Sequence, residues 1–504
     1  MALAIVLRIV AVIWSKGYMA SDDHFETINV AYNWFLRGMF TDDGNLIWRH
    51  HTDGVITRFP LYTFALHGIM RVYHWFGVES LDTMMYGIRA VHAALSLILV
   101  YASYRIIELV TRNWRWAFGG GLIMAAHGLM PFLSVRQLIE MVSGECLILA
   151  LLWVYRYLEE RDQSRLFWAG VITAIGMLVR LQVAAAAIPV PFVLWWAERK
   201  TGPVVKFLFG GAAVMLLAGI SDWLIVGEFL GTVLGTLGAG HEKLYDTIPL
   251  MYPLVLLAFF IPPFSILATI ACFSRDVWRR HHVLILCTIV FIAAHMLIAN
   301  RQERFMIPIV GPVCVLFVLA LWHQFRRGGW LTRHRWLWPG SVGLSAAVSV
   351  LLLVVFTANY GHKGLVEPFA RVQGMNPRPR VIMVSPDKHQ IYPLHYAGMP
   401  MVDQYWVRSW EELRRFEPRP GKPELYLLYP KRAEDLERYR DSVEAQVGPV
   451  VLAFRVGPSR VDWLLHALNP KHNPTHECFA YRPATGAGAE AKAVDPAMDS
   501  PAGR

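Results

Sequence analysis

The sequence predicts an all-α polytopic membrane bundle of about eleven transmembrane helices, carrying a small C-terminal extracytoplasmic α/β domain. Three observations carry that prediction. The 504 residues are 55% hydrophobic and only 17% charged, with positive mean hydropathy, a composition for which lipid must be the main solvent. Eleven apolar runs approach the roughly 20 residues that a helix needs to cross about 30 Å of hydrocarbon. The Lys and Arg residues fall in short clusters between those runs, on alternate sides, which is how charge orients helices in a bilayer. The formal net charge of +10 therefore speaks for membrane orientation, and a nucleic-acid partner is not expected.

The runs are approximately 1 to 20, 86 to 108, 116 to 133, 139 to 157, 166 to 181, 182 to 197, 205 to 226, 250 to 273, 282 to 299, 305 to 324 and 337 to 357. The first is apolar apart from Arg8 and Lys16 and ends in no small-residue cleavage signal, so it reads as an uncleaved first transmembrane helix. The fifth and sixth are short and run together through Arg180. One side of the membrane receives Arg105, Arg112 and Arg115; Arg156, Arg161 and Arg165; Arg199, Lys200 and Lys206; Arg275, Arg279 and Arg280; and Arg326, Arg327, Arg333 and Arg335. The short loops opposite hold little beyond Arg136, Arg180, Lys243, Arg301 and Arg304. The N-terminus is thereby expected in the cytoplasm, with the loop 21 to 85 and everything after residue 357 outside, in a plasma, inner or ER membrane.

After Tyr360 the composition becomes that of a small soluble domain. The runs 380 to 385, 424 to 429 and 450 to 456 read as short buried strands and 432 to 446 as a charged helix. The expected organisation is a bundle over 1–357 including the outer loop 21–85, an α/β domain over 358–482, and a disordered tail over 483–504 rich in Ala, Gly and Pro. The five cysteines, Cys146, Cys272, Cys287, Cys314 and Cys478, show no CxxC or metal-ligand spacing, so neither a disulfide framework nor a zinc site is expected. No internal repeat, GxGxxG or P-loop supports nucleotide binding.

Two outer segments carry candidate chemistry. Directly after the first run comes Ser21-Asp22-Asp23-His24-Phe25-Glu26, a cluster of acids that is costly beside lipid. Phe25, Ile28, Tyr32, Phe35 and Leu36 then recur at helical spacing, which predicts a helix along the interface with Asp22 and Asp23 at its N-terminus. One Asp there is accounted for by capping and by the helix dipole. The functional reading makes Asp22 a general base that takes the proton of an attacking hydroxyl, with Asp23 beside it and His24 and Glu26 as candidate substrate contacts. The second segment is Asn300-Arg301-Gln302-Glu303-Arg304-Phe305. Arginine forks match phosphate oxygens, so Arg301 and Arg304, with Arg58 and Arg180, are candidates for an anionic phosphate, and Glu303 for a substrate contact. The competing reading is that these arginines pair with Glu303 or anchor at the lipid headgroups. His241 and Glu242 are weaker candidates, and Asp222, an acid within an apolar run, is a functional candidate with Arg180 as one partner.

At these residues the chain resembles glycosyltransferase family 22, the GT-C mannosyltransferases that extend GPI anchors and the lipid precursor of N-glycans. Ala20-Ser21-Asp22-Asp23-His24-Phe25-Glu26 stands where that family carries His-Pro-Asp-Glu followed by an aromatic residue and Gln. Asn300-Arg301-Gln302-Glu303-Arg304-Phe305 stands where it carries His-Lys-Glu-x-Arg-Phe, matching at Arg304 and Phe305 and keeping charge at Arg301. Arg58-Phe59-Pro60-Leu61-Tyr62, Arg89, and Asp222 with Gly227 also look like family landmarks, so the likeness spans residues 1 to 320. Asp23 replaces the family's Glu, and Asn300 and Gln302 replace its His and Glu. The resemblance implies an inverting GT-C transferase of a hexose, mannose by family usage, from a polyprenyl- or dolichyl-phosphate sugar to a glycan or glycolipid acceptor, with Asp22 as base. It implies no cofactor and no metal. The alternative from another class is a transporter or lipid flippase, which calls for acids or broken helices near the bilayer midplane, often in two related halves. The acids here gather at one face instead.

Overall fold

The computed structural model describes residues 1–19, 21–39, 59–78, 80–239, 248–298, 301–334, 336–386, 392–398, 404–418, 421–470 and 473–484. The chain forms two compact units. The first comprises Met1–Ser15, Leu46–Ala65 and Ile88–Ala358, and the second Lys16–Asn45, Leu66–Gly87 and Asn359–Arg504. Compactness thus divides the chain differently from the sequence boundary at 357: parts of the outer loop belong with the C-terminal unit.

Each of the eleven apolar runs contains helix, but the count of full spans differs from the eleven expected. Six described helices are long and apolar enough to cross a membrane: Leu81–Thr111, Ile139–Glu160, Thr201–Ile225, Arg275–Leu297, Glu303–Arg326 and Leu337–Thr357. The others are shortened or broken for local reasons. Ala2–Trp14 ends at Ser15. The run 116 to 133 divides at His127 into Trp114–Ala126 and Met130–Leu133, with Pro131 in the first turn of the second. Met251–Phe259 and Phe264–Cys272 meet at 118° across Pro262-Pro263, where two missing amide donors end helical hydrogen bonding. Ser164–Val179 and Val183–Glu198 remain shorter apolar helices.

Glu303–Arg326 is the axis of the first unit, with 94% of its apolar window buried, whereas Thr201–Ile225 and Leu337–Thr357 are only 22% and 11% buried. Leu217, Leu224, Leu351 and Val354 are exposed on those outer helices, as suits faces that meet lipid. Glycine sets the closest helix approaches. A Cβ at Gly170 would lie 1.9 Å from the Phe207 carbonyl oxygen, and one at Gly210 would lie 2.1 Å from that of Phe167, so Ser164–Val179 and Thr201–Val226 pack backbone to backbone in the manner of small-residue membrane interfaces. The largest polar group buried in this unit is bonded internally. Arg8, 2% exposed, donates to Ser96 Oγ at 2.7 Å and to the carbonyls of Ala125 at 3.1 Å and Met124 at 3.3 Å, satisfying the open C-terminal turn of Trp114–Ala126.

In the second unit, β1 (Lys16–Gly17) pairs in parallel with β2 (Tyr360–Gly361). A Cβ at Gly17 would lie 1.8 Å from the Gly361 carbonyl, and its φ is +79°, so only glycine fits there. The remaining strands are β3 (Arg380–Val384), β4 (Gln404–Val407), β5 (Glu424–Leu428), β6 (Val450–Val456) and β7 (Cys478–Pro483). They form one sheet in the order β4-β3-β5-β7-β6, parallel from β4 to β5 and antiparallel from β5 to β6. The core on one face holds Ile382, Val384, Tyr426, Leu428, Tyr439 and Val443, the last two from the helix Leu436–Val447. The sequence reading finds β3, β5, β6 and this helix, but not β4 or β7. β4 offers only Tyr-Trp-Val and β7 only Cys-Phe-Ala-Tyr before Arg-Pro, apolar runs too short to single out from sequence. The tail expected to be disordered lies, from residue 485 onward, outside the described residues.

Candidate active site

The second arginine-bearing segment opens the axial helix. Glu303–Ile309 is a 3-10 helix, and Pro308 within it and Pro312 after it delay the α-helical hydrogen bonds. This turn buries Arg304, which is 7% exposed. Its Nε lies 3.5 Å from Oε1 of Glu140, and Nη1 of Arg180 lies 3.2 Å from the same oxygen. Glu140 is fully buried in the first turn of Ile139–Glu160. Both guanidinium groups also face the Phe305 ring, at 4.6 Å for Arg180 and 5.7 Å for Arg304. Carboxylate and aromatic face together fix the plane of each guanidinium, the preorganisation that bidentate anion recognition requires.

The close packing that allows this pairing is written in Gly144, one helical turn after Glu140. A Cβ there would come within 2.8 Å of Pro308 Cα, so glycine admits the arginine-bearing turn against the helix that supplies the carboxylate. Behind Phe305 lies His295, fully buried, whose Nδ1 donates to the Phe291 carbonyl at 2.8 Å. That bond leaves Nε2 as the acceptor of the neutral ring, and Nε2 has no hydrogen-bond partner among the described residues. Tyr252 meets the His295 ring edge-on at 5.8 Å and has Arg301, Glu303 and Arg180 as its charged neighbours. Arg301 donates to the Met296 carbonyl at 3.3 Å, closing the end of the preceding helix, and Glu303 is exposed.

The acidic segment folds as the helix Ser21–Arg37. Asp22 and Asp23 occupy its first turn as expected, where the dipole favours acids; the side chains of Asp22, Asp23 and Glu26 lie outside what the structure describes. His24 is 1% exposed, with its ring 6.0 Å from that of Tyr18 and 6.1 Å from that of His395. In the first unit, the end of the preceding helix is pinned at Ser15: Arg136 donates to Ser15 Oγ at 2.9 Å and to its carbonyl at 3.2 Å, and Arg89 to that carbonyl at 3.4 Å.

A family model, the Alg9-like mannosyltransferase family, matches residues 1–384 of 504. The chain belongs to that family. The match takes in both segments, Glu140 and Arg180, and ends with β3 of the C-terminal unit. Two solved structures of ArnT from Cupriavidus metallidurans share the fold at 12% identity, over 95% of this chain and 96% of theirs: one bound to undecaprenyl phosphate, with a TM-score of 0.57, and one in the apo state, with a TM-score of 0.58. No protein of curated function matches the chain. The Alg9-like chain is therefore a multi-pass membrane glycosyltransferase of GT-C fold.

Of the sequence candidates, Arg180 and Arg304 come together directly, and Arg301 and Glu303 border them. Asp222 does not pair with Arg180 as suggested. Its Oδ2 accepts from the Thr232 amide at 3.0 Å and hydroxyl at 2.5 Å, tying the end of Thr201–Val226 to the next helix. Arg304 pairs with Glu140, not with Glu303. Arg58, His241, Glu242 and Asn300 lie outside the described residues. Glu140, His295 and Tyr252 escape the sequence reading. An acid inside an apolar run was the available signal for Glu140, the same signal that singled out Asp222.

Proposed function

We propose that this Alg9-like chain transfers a hexose, mannose by family usage, from a polyprenyl- or dolichyl-phosphate sugar to a glycan or glycolipid acceptor on the extracytoplasmic face. An acceptor oxygen attacks the anomeric carbon as the bond from that carbon to the phosphate oxygen breaks, inverting the configuration. The acceptor proton passes to Asp22, the general base, with Asp23 beside it. The lipid phosphate departs as an anion held by Arg180 and Arg304, with Arg301 at the rim. A phosphate leaving group needs no proton, so one carboxylate suffices, unlike the paired acids of glycoside hydrolysis.

The observation that carries this reading is the convergence of Arg180 and Arg304 on Glu140 beside Phe305. Support also comes from the undecaprenyl phosphate bound in the ArnT structure and from the charge alternation, which assigns both candidate segments to the outer side. The reading predicts that membranes containing the chain incorporate label from radiolabelled polyprenyl-phosphate mannose into acceptor lipid. Movement of the donor across the bilayer with no sugar transferred is the outcome that a transporter or flippase would give, and it would overturn the proposal.

A further inference from the structure

Within the second unit, Asn29 ties the helix Ser21–Arg37 to the segment around Tyr392 and His395. Its Nδ2 donates to the Tyr392 carbonyl at 3.3 Å, and its Oδ1 accepts from the His395 amide at 3.0 Å. Both backbone partners admit only one assignment of the Asn29 amide. Oδ1 is therefore an acceptor, and the 2.8 Å contact between it and His395 Nδ1 requires that Nδ1 carry a proton. Asn29 is 6% and His395 1% exposed, and burial pushes the His395 imidazole down to about 3, so the ring is neutral and donates from Nδ1 at physiological pH.

The segment that grips Asn29 is itself fixed to the sheet. The Tyr392 ring packs at 5.4 Å from Trp406 on β4 and at 5.2 Å from Tyr429 just after β5. Gln404, the first residue of β4, donates to the Leu394 carbonyl at 3.1 Å. An unbroken set of contacts thus runs from the C-terminal sheet through Tyr392 and His395 to Asn29. Asn29 lies seven residues from Asp22 on the same helix, about 10 Å along the axis at 1.5 Å per residue.

We propose that Asn29 and His395 are positioning residues, through which the C-terminal sheet holds the Ser21–Arg37 helix, and with it Asp22, in the register that transfer requires. The proposal rests on the reading of Asp22 as the base. Two turns of helix transmit a shift at Asn29 to its N-terminus undamped, and reaction rates fall steeply with small misplacements of a reacting group. The donor-side arginines belong to other elements, so loss of this grip lowers the maximal rate and leaves the dependence on donor concentration alone.

The test uses membranes containing the full chain, given radiolabelled polyprenyl-phosphate mannose, with the rate expressed per mole of protein. Asn29→Leu, close in shape but without the three hydrogen bonds, is expected to lower the maximal rate about 10- to 100-fold with the donor KM unchanged within about threefold. His395→Asn places an amide donor near the position of Nδ1 and is expected to retain most of the rate; His395→Gln places it near Nε2 and is expected to lose it. That contrast separates positioning from packing even if Asn29→Leu fails to reach the membrane. Equal rates for His395→Asn and His395→Gln, or a donor KM that rises in step with the loss of rate, would overturn the proposal. Asp22→Asn, measured alongside, keeps the two readings apart. Its retaining full rate removes Asp22 as the base; its losing rate while both His395 variants match the parent removes only the positioning role.

Discussion

At the scale of single residues, the candidate site is built on a buried carboxylate that meets two cations. Glu140 is wholly inaccessible, while Arg180 and Arg304 keep 10% and 7% of their side chains exposed. Their energetic weight differs from that of the surface pairs in the same chain, such as Arg415 with Glu411, which are screened by solvent. Glu140→Gln removes the charge but not the shape, and Arg304→Ala removes the fork. Both are expected to weaken donor binding about 10-fold or more, about 1.4 kcal/mol per decade, with Arg304→Ala the more severe; isotherms with the labelled lipid donor check this. The arginines were legible because they stand in loops that should be poor in positive charge. Glu140 was not, because an acid at the start of an apolar run reads as part of the span, and its partners lie far away in sequence at residues 180 and 304. His395 carries a second residue-scale expectation. Its folded value of about 3 lies below the ordinary histidine value near 6.5, so below that ordinary value the unfolded chain binds a proton that the folded unit excludes. Stability contributed by the neutral ring is present above about pH 6.5 and is lost progressively as pH falls toward 3. Thermal melting followed from pH 7 to 4 should show a steeper decline for the parent than for His395→Asn, which has no such group.

At the scale of elements, two devices place the site. The 3-10 turn Glu303–Ile309 arises from Pro308 within it and Pro312 just after it, and the contact of Gly144 with Pro308 lets that turn reach the helix carrying Glu140. Gly144→Val puts branched carbons where the backbone of Pro308 stands. Overpacking of this kind costs about 1–3 kcal/mol, and the turn must move away from Glu140. A lowered melting temperature together with weakened donor binding is expected. Normal donor binding in a folded Gly144→Val protein would show that the turn has other means of reaching Glu140. The acidic helix Ser21–Arg37 was readable from its apolar stripe, and Ile28 and Tyr32 of that stripe are buried as the pattern requires. Strand β7 was not readable, because a central position in a sheet is decided by its neighbours β5 and β6 and not by its own short sequence. The spans were legible in place but not in length. Hydropathy marks where apolar chain lies, while Ser15, Pro131 and Pro262-Pro263 decide where a helix stops.

At the scale of the whole molecule, composition and the clustering of charge between apolar runs disclosed a multi-pass membrane protein, since both follow from the cost of charge in lipid. The association of residues 16–45 and 66–87 with the C-terminal unit could not be read that way. It depends on hydrogen bonds such as those between Asn29 and His395, 366 residues apart, which leave no periodic trace. The motifs single out two short segments as candidates for the chemistry, and Asp23, Asn300 and Gln302 depart there from the family pattern, so the sugar is a matter for assay. The central claim is that a lipid-phosphate sugar donor loses its hexose to an acceptor deprotonated by Asp22. Its most direct test compares parent and Asp22→Asn in membranes supplied with radiolabelled polyprenyl-phosphate mannose, measuring both label transferred and donor bound. The account predicts transfer by the parent, a loss of at least about 100-fold for Asp22→Asn, at the scale of general-base catalysis, and undiminished donor binding by the variant. Transfer by Asp22→Asn at the parent's rate would contradict it.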